Sequence, residues 1–580
     1  MSVNKELARV FDQIADLMEI KGEDPFRINS YRRAARSLKD CPHDVAALAE
    51  AGRLQEIPGV GKGTAERINQ YLKTGQIEVH HELLAAVPAG LPALLEIPNL
   101  GPKKVALVWK QLGVQNVADL KRVIESGEMA ELPGLGETSV KKIADGLAFL
   151  EKSSGRTPMG VAWPIAAEMT RWLAGLKGVR KVEVAGSLRR GAETIGDVDI
   201  LCQADDGAAV IAAFTGLELA QQVLAAGSTK GSILVRLEEG RQLQVDLRVV
   251  PAESFGAALQ YFTGSKEHNV RLREIAVKKK WKLNEYGLFD AKDKQLAGRD
   301  EQSIYARLGV PFVPPELRED RGELDIDQQR LADLLSPADI RGDLHVHTTA
   351  SDGRSTAEEM AAAAARLGYA YLAICDHSKS STIANGLSIE RMEKQIEYLR
   401  NLNKKLKDIE ILVGCECDIL ADGKLDYPDE ILAACDVVVA SVHSGLGQDR
   451  RQVTARTIKA MENPYVTIIG HPTGRLLGKR EAMDLDMAEV VKAAAATRTI
   501  LEINASWQRL DLQDVHARQA LEAGVLLCVN TDAHHTDQLD QMRFGVMTAR
   551  RAWAAKREVL NTQTLARLLK TLGRKRQRPR

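Results

Sequence analysis

The sequence predicts a multidomain protein with an all-α module first, an α+β region in the middle and an α/β barrel at the end. Three observations predict it. Apolar residues recur at helical three- and four-residue spacing up to about residue 150. Short β-rich runs then take over between about 160 and 250. From 340 onward, apolar runs of strand length alternate with helical segments, the pattern of a parallel sheet closed as a barrel. At 580 residues the chain also exceeds the ~250 at which single cores stop growing.

Composition excludes some classes. An apolar share of 44% beside 27% charged residues is that of a globular protein, which rules against disorder or a fibre. The opening residues MSVNKELARVFDQ carry no apolar stretch behind a basic end, and nothing reaches the roughly 18 apolar residues of a membrane helix. The 7 cysteines form no CxxC pairs, which fits a reducing compartment, so a cytoplasmic protein with no membrane partner is expected. Lysine plus arginine (79) equals aspartate plus glutamate (79), so only the local distribution of charge can point to nucleic acid. The tail Arg574 to Arg580 is basic, either a phosphate contact or a solvated terminus.

The helical module contains three related breaks, each leading into a helix: Ile57-Pro58-Gly59-Val60-Gly61, Ile97-Pro98-Asn99-Leu100-Gly101 and Leu132-Pro133-Gly134-Leu135-Gly136. A Gly-hydrophobic-Gly turn at a helix start offers unpaired N–H groups and a positive dipole end, which suits DNA phosphates without regard to base sequence. These repeats resemble helix-hairpin-helix motifs. Gly59, Val60, Gly61, Leu100, Gly101, Gly134 and Gly136 are the candidate contacts, with a weaker second copy because Asn99 replaces a glycine.

In the middle region, Gly186-Ser187-Leu188-Arg189-Arg190-Gly191 precedes Gly196-Asp197-Val198-Asp199. Asp197 and Asp199 are two apart on a strand and face the same side. Asp246, in a second apolar strand, is placed to join them. Three clustered carboxylates repel, and a pair of divalent cations resolves the repulsion. Such a pair about 3.5–4 Å apart suits nucleotidyl transfer, with Asp246 as base or base-positioner. Ser187 and Arg190 are placed to bind a triphosphate.

Metal-ligand residue types close one apolar run of the last region after another. They are His345 and His347, Asp376-His377, Glu416, His443, His471, and Asp532 with His534; Asp352 follows the first strand. Ligands at the carboxyl ends of barrel strands converge on one mouth. Imidazole with carboxylate suits Zn2+, Mn2+ or Fe2+, and nine ligands from such a set suffice for up to three ions. Cys375, Cys415 and Cys417 read as strand packing. Arg475 and Lys479 read equally as phosphate contacts or a solvated loop.

The middle region resembles the palm and thumb of family X DNA polymerases, close to vertebrate polymerase beta. The resemblance extends through Tyr261-Phe262-Thr263-Gly264-Ser265, Asn269, Arg273 and Leu283-Asn284-Glu285-Tyr286, and through Asn29 to Ala35 in the helical module. It implies nucleotide contacts at Gly186, Ser187, Arg190, Gly196, Tyr261, Phe262, Gly264 and Asn269. It implies DNA contacts at Arg27, Tyr31, Lys230, Arg248, Arg273, Asn284, Glu285 and Tyr286, with Mg2+ or Mn2+ on Asp197, Asp199 and Asp246. Lys266 departs from the acidic residue of the relative. Arg67 stands where the relative has its lyase lysine, and a protonated guanidinium is a poor Schiff-base nucleophile. The last region resembles the PHP (polymerase and histidinol phosphatase) domain, a distorted (β/α)7 barrel. The resemblance implies a metal set of His345, His347, Asp352, His377, Glu416, His443, His471, Asp532 and His534.

The implied organisation is a helical DNA-binding domain with the first hairpin (1–80), a helical domain with two more (81–155), a nucleotidyltransferase palm (156–260), a thumb (261–315), a linker (316–338), a PHP barrel (339–572) and a basic tail (573–580). The implied function is filling of short gaps in base excision repair, with a metal-dependent 3′-5′ exonuclease or phosphoesterase in the barrel. Gapped or nicked DNA and deoxynucleoside triphosphates are the expected partners of a monomer working at the bacterial nucleoid. Two other readings stay open: a barrel acting as a small-molecule phosphatase, and a DNA-binding scaffold with inactive sites.

Overall fold

The computed structural model describes residues 3–40, 45–57, 59–95, 97, 99–153, 156–237 and 241–576. Pro58, Pro98 and Gln577 to Arg580 of the features above lie outside the described residues. The chain divides into two compact units, residues 1–154 with 478–480, and residues 155–477 with 481–580.

Every element of residues 3–153 in the first unit is a helix, among the described residues. Its opening helix, Val3–Lys21, buries Leu7, Val10, Phe11, Ile14, Leu17 and Met18, the stripe that three- and four-residue spacing dictates. One apolar cluster runs from Leu7 to Leu147, so the core is continuous across residue 80. The middle residue of each hairpin plugs into it: Val60, Leu100 and Leu135 are all buried. Gly59, Asn99 and Gly134 share a left-handed backbone, with φ of 80°, 68° and 80°. Asparagine is the residue besides glycine that visits this region most readily, so the second turn keeps the geometry of the other two.

In the second unit, a small antiparallel pair joins β1 (Thr157–Pro158) to β3 (Thr194–Ile195). The palm sheet runs β2 (Val179–Val184), β4 (Asp197–Ala204), β7 (Gln242–Val249), β6 (Lys230–Arg236), β5 (Ala220–Ala226). Only β4 and β7 are parallel neighbours in it. Helix Met159–Ala174 and helix Gly207–Thr215 contribute Ala166, Met169, Ile211 and Phe214 to its core, which also takes in Leu510 and Phe544 from the far end of the chain. The thumb joins helices Phe255–Thr263, Lys266–Lys278 and Glu301–Leu308 to a three-stranded sheet of β8 (Lys282–Asn284), β9 (Gly287–Phe289) and β10 (Gln295–Ala297).

The connecting segment 316–338 is packed along its length rather than extended. Leu317, Ile326 and Leu334 join the thumb core and Leu335 joins the barrel core. Arg318 is fully buried, pairing with Glu301 at 2.6 Å and donating to the Val313 carbonyl at 2.9 Å. Charge that reads as linker composition is here satisfied internally.

The barrel strands are β11 (Gly342–Val346), β12 (Tyr371–Ile374), β13 (Glu410–Asp418), β14 (Val437–Ser441), β15 (Ile468–Ile469), β16 (Ile500–Asn504) and β17 (Leu527–Asn530), each parallel to the next. The ring nearly closes. Asp532 N–H donates to the His345 carbonyl and His347 N–H to the Ala533 carbonyl, each at 2.9 Å. The helix Ala357–Arg366 starts on a capping box between Thr356 and Glu359, a signature visible in the sequence.

Candidate active sites

The carboxylate triad lies on the parallel pair of the palm. Asp199 and Asp246 are direct partners across β4 and β7, and Asp197 shares the face of Asp199 while Val198 between them is buried. Burial first, and then the neighbouring Asp197 and Asp246 carboxylates, push Asp199 up to about 7. Asp197 is raised by burial and by Asp246. Burial opposes the ionisation of Asp246 too, yet hydrogen bonds from Ser232 (2.6 Å) and Gln244 (2.8 Å) and the Lys230 ammonium at 3.3 Å outweigh it and hold its value down. The site thus crowds three carboxylates together with the Lys230 ammonium at one of them, a donor set that suits divalent metal. Lys230, expected at DNA, stands against Asp246.

The Gly186 to Gly191 turn is built around this face. Gly186 has φ +64°, and a Cβ there would sit 2.3 Å from Asp199 Oδ2, so only glycine fits. Ala185 N–H donates to the Asp199 carbonyl at 2.8 Å, which ties the turn to β4. The two arginines separate. Arg189 pairs bidentately with the buried Glu301 at 3.0 and 2.7 Å, whereas Arg190 donates through Nε to Glu319 (3.0 Å) and through Nη1 to the Thr263 carbonyl (2.6 Å). Arg190 Nη2 and the Ser187 hydroxyl take no protein partner among the described residues. Gly264 comes close, its notional Cβ 3.2 Å from Arg190 Nη1, while the space at Gly196 is open.

The remaining palm and thumb candidates fall into two groups. Tyr261 and Phe262 pack edge to face at 5.2 Å, with the Arg248 guanidinium 4.4 Å over the Phe262 ring. Arg273 and Tyr286 are exposed, and Glu285 is half-buried. Asn269 is buried and its amide is used within the protein, donating to the Tyr261 carbonyl at 2.7 Å and accepting from Gln260 at 2.6 Å. Asn284 accepts from the N–H groups of Tyr286 and Gly287, capping the turn between β8 and β9.

In the helical unit, Gly61 and Gly101 sit at the starts of helices Lys62–Thr74 and Pro102–Leu112 with open space beside them, as do Gly134 and Gly136 before helix Glu137–Ser153. Val60 and Leu100 are core residues, so what these turns present is main-chain N–H. Arg27 is exposed; Tyr31 is buried with its hydroxyl unpartnered and the Arg67 guanidinium 5.5 Å over its ring.

The barrel mouth gathers all nine expected ligands. Three sets place their ligand atoms within 4.8 Å of one another: His347, Asp352, His377 and His534; His345, His347 and Asp532; His377, Glu416 and His443. His471 Nε2 lies 2.9 Å from Glu416 Oε1. Buried His345 Nε2, His347 Nδ1 and Nε2, His377 Nδ1, His471 Nδ1 and Glu416 Oε2 lack a hydrogen-bond partner, an arrangement that costs about 1–3 kcal/mol per group unless a cation is held there. Burial, and then His534 and His377, press His347 down to about 3, a neutral imidazole with lone pairs to give. Burial works against Asp352, but His534, His347 and His377 hold it down at about 2. The donor set fits divalent metal.

A surrounding layer orients these ligands, and sequence reading missed it. Glu502 accepts from His345 Nδ1 at 2.8 Å and from His471 N–H at 2.7 Å; Asp418 takes His443 Nδ1 at 2.7 Å. Asp376 belongs to none of these three sets and instead accepts from Thr348, Ser351 and Gln395. Arg509 reaches the mouth beside Asp532 at 3.6 Å, with Nη1 buried and unpartnered. Glu502 is the middle residue of β16, a buried charge within an apolar strand, and that was its available signal. Arg475 is neither solvated nor at the mouth: it is buried against Glu193 of the palm and the Leu510 carbonyl. Cys375, Cys415 and Cys417 are buried within strands or at their ends.

Family models match four stretches: a helix-hairpin-helix domain at residues 2–77, a SAM-like helix-hairpin-helix tandem at 91–148, the DNA polymerase beta thumb at 258–319 and the PHP domain at 343–506. The chain is 39% identical over 562 residues to the DNA polymerase/3′-5′ exonuclease PolX of Bacillus subtilis (strain 168), covering 97% of this chain and 98% of that one. It is 26% identical over 345 residues to DNA polymerase lambda of Rattus norvegicus, covering 54% of this chain and 56% of the relative. Over 206 residues, 33% of this chain, it is 34% identical to a "Probable phosphatase" of Caldanaerobacter subterraneus subsp. tengcongensis and covers 75% of that protein. With a match of this identity along nearly the whole of both chains, the protein belongs to the bacterial family X DNA polymerases that carry a C-terminal PHP domain.

Proposed function

We infer that the protein is a DNA-directed DNA polymerase that fills short gaps during repair, and that its barrel is a metal-dependent 3′-5′ exonuclease. The observation that carries the reading is the facing pair Asp199 and Asp246, joined through the Gly186 turn to a Ser187 hydroxyl and an Arg190 Nη2 that take no protein partner among the described residues. Asp197, Asp199 and Asp246 would hold Mg2+ or Mn2+, which supplies charge stabilisation to the transferring phosphoryl group. Asp246, kept ionised by Ser232, Gln244 and Lys230, is the group to hold the primer 3′ hydroxyl. Ser187 and Arg190 bind the triphosphate, with Gly186, Gly196 and Gly264 leaving room for it. Tyr261, Phe262 and Asn269 shape the sugar and base end, Asn269 by fixing Tyr261.

DNA is held by main-chain N–H groups of the three hairpins, by Arg27 and Tyr31, and by the exposed Arg273, Tyr286 and neighbouring Glu285. The guanidinium of Arg67 is a poor lyase nucleophile. At the barrel the nine ligands would hold up to three of Zn2+, Mn2+ or Fe2+, which supply a nucleophile at neutral pH. No helix among the described residues is long and apolar enough to cross a membrane; we place the protein in the bacterial cytoplasm, at DNA, as a monomer.

A gapped duplex with a labelled primer, incubated with Mg2+ or Mn2+ and with or without nucleotides, tests both activities. Lengthening with nucleotides and shortening without them is the expected result. The likeness to the phosphatase supports a second reading of the barrel alone; it predicts hydrolysis of small phosphomonoesters and no primer shortening. Neither activity in metal-loaded protein would leave only a DNA-binding scaffold.

A further inference from the structure

The end of the barrel helix Met542–Arg551 reaches the triphosphate turn of the palm. Met547 packs against Gly191, whose notional Cβ would lie 3.0 Å from the Met547 Cβ. Four residues on, Arg551 ends the helix with its side chain only 12% exposed. Its Nη1 donates to the Arg190 main-chain carbonyl at 2.9 Å and to Glu319 Oε1 at 2.7 Å, and its Nε donates to Asp514 Oδ2 at 3.0 Å. The same Glu319 oxygen accepts from Arg190 Nε at 3.0 Å. One carboxylate oxygen is therefore shared by two arginines, one from the palm and one from the barrel. Arg190 is fixed through its carbonyl and through its guanidinium, and its Nη2 takes no protein partner among the described residues.

We propose that Arg551 is a positioning residue for nucleotide binding: through Glu319 and the Arg190 carbonyl, the barrel holds the palm's Arg190 ready for a triphosphate. A guanidinium on a flexible stem loses rotamer freedom when it binds phosphate, and one already held by two hydrogen bonds loses less. Asp514 anchors the network from the barrel side, since its carboxylate also accepts from Arg321 at 3.0 Å. Glu319 is not an inhibitory lock here, because it takes Nε and not Nη2. The polymerase site would then depend on the barrel even when the barrel's own chemistry is idle.

The proposal rests on the reading that Arg190 binds the triphosphate, and the test separates the two. Steady-state single-nucleotide incorporation on gapped DNA is measured for wild type, Arg190→Ala, Arg551→Ala, Arg551→Lys, Glu319→Gln and Arg551→Ala with Glu319→Gln, together with thermal unfolding and primer shortening. Arg551→Ala is expected to raise KM for the nucleotide about tenfold with kcat little changed and shortening intact. Glu319→Gln should act in the same direction, the double variant should be no worse than the more affected single, and Arg551→Lys should recover part of the loss. An unchanged or lowered KM in Arg551→Ala, while Arg190→Ala raises it, overturns the proposal. So does a parallel fall of Tm, extension and shortening, which is what a purely structural strut would give. No change in Arg190→Ala would instead remove the reading on which the proposal stands.

Discussion

Gly186 shows how tightly one residue can be specified. Its φ of +64° and the 2.3 Å from its notional Cβ to Asp199 Oδ2 leave no place for a side chain. Gly186→Ala is expected to lose primer extension by at least about a hundredfold, since a carboxylate misplaced by an ångström costs that much; primer shortening should persist. Asp199→Ala should abolish extension and spare shortening, and His345→Ala should do the reverse, as read on a gapped, labelled duplex. Glu502→Gln keeps the size of the group that accepts from His345 and His471 but removes its charge, and metal affinity of the barrel should fall about 10–100-fold in a metal-release titration. The carboxylates and imidazoles of the proposed metal sites were legible as residue types at strand ends. Glu502, Asp418 and Arg509 were not, because their partners His345, His443 and Asp532 lie on other elements and only the closed barrel brings them together.

Among the elements, the hairpins are where pattern and packing meet. Val60, Leu100 and Leu135 hold their turns by burial, so Leu100→Ala should cost about 2–5 kcal/mol in denaturant unfolding of the helical unit. Asn99 keeps the left-handed backbone, and Asn99→Gly should leave DNA binding within about twofold, whereas a β-branched substitution should weaken it through strain. The three-fold repeat was legible, and the asparagine of the second copy keeps the left-handed φ of the glycines in the other two. The barrel was legible for a similar reason: strand-length runs ending in ligands need only the parallel alternation to bring those ends together. The segment 316–338 was not, because proline and acidic composition cannot reveal that Arg318 and Glu323 are buried partners of Glu301 and His268.

At the scale of the whole second unit, palm, thumb and barrel are joined by charge as well as by apolar contact. Burial disfavours the charged forms of Glu319 and Asp514, but Arg551 outweighs it for both, with Arg190 assisting at Glu319 and Arg321 at Asp514, so each carboxylate is held below its ordinary value. Depressed carboxylates stabilise the fold above the ordinary carboxylate range, and that stabilisation is lost as pH falls through the folded values. The Tm difference between wild type and Arg551→Met should therefore be largest near neutrality and shrink below about pH 4 in calorimetric scans. The palm cluster includes Leu510 and Phe544, Trp507 lies where any side chain at Gly160 would go, and Arg475 reaches across to Glu193. Cutting the chain near residue 338 would thus strip the palm of part of its own interior and leave a sticky apolar wound. A truncated polymerase that aggregates or stalls would say nothing about whether the exonuclease chemistry assists synthesis, and single-residue knockouts at the metal mouth are the instrument that can.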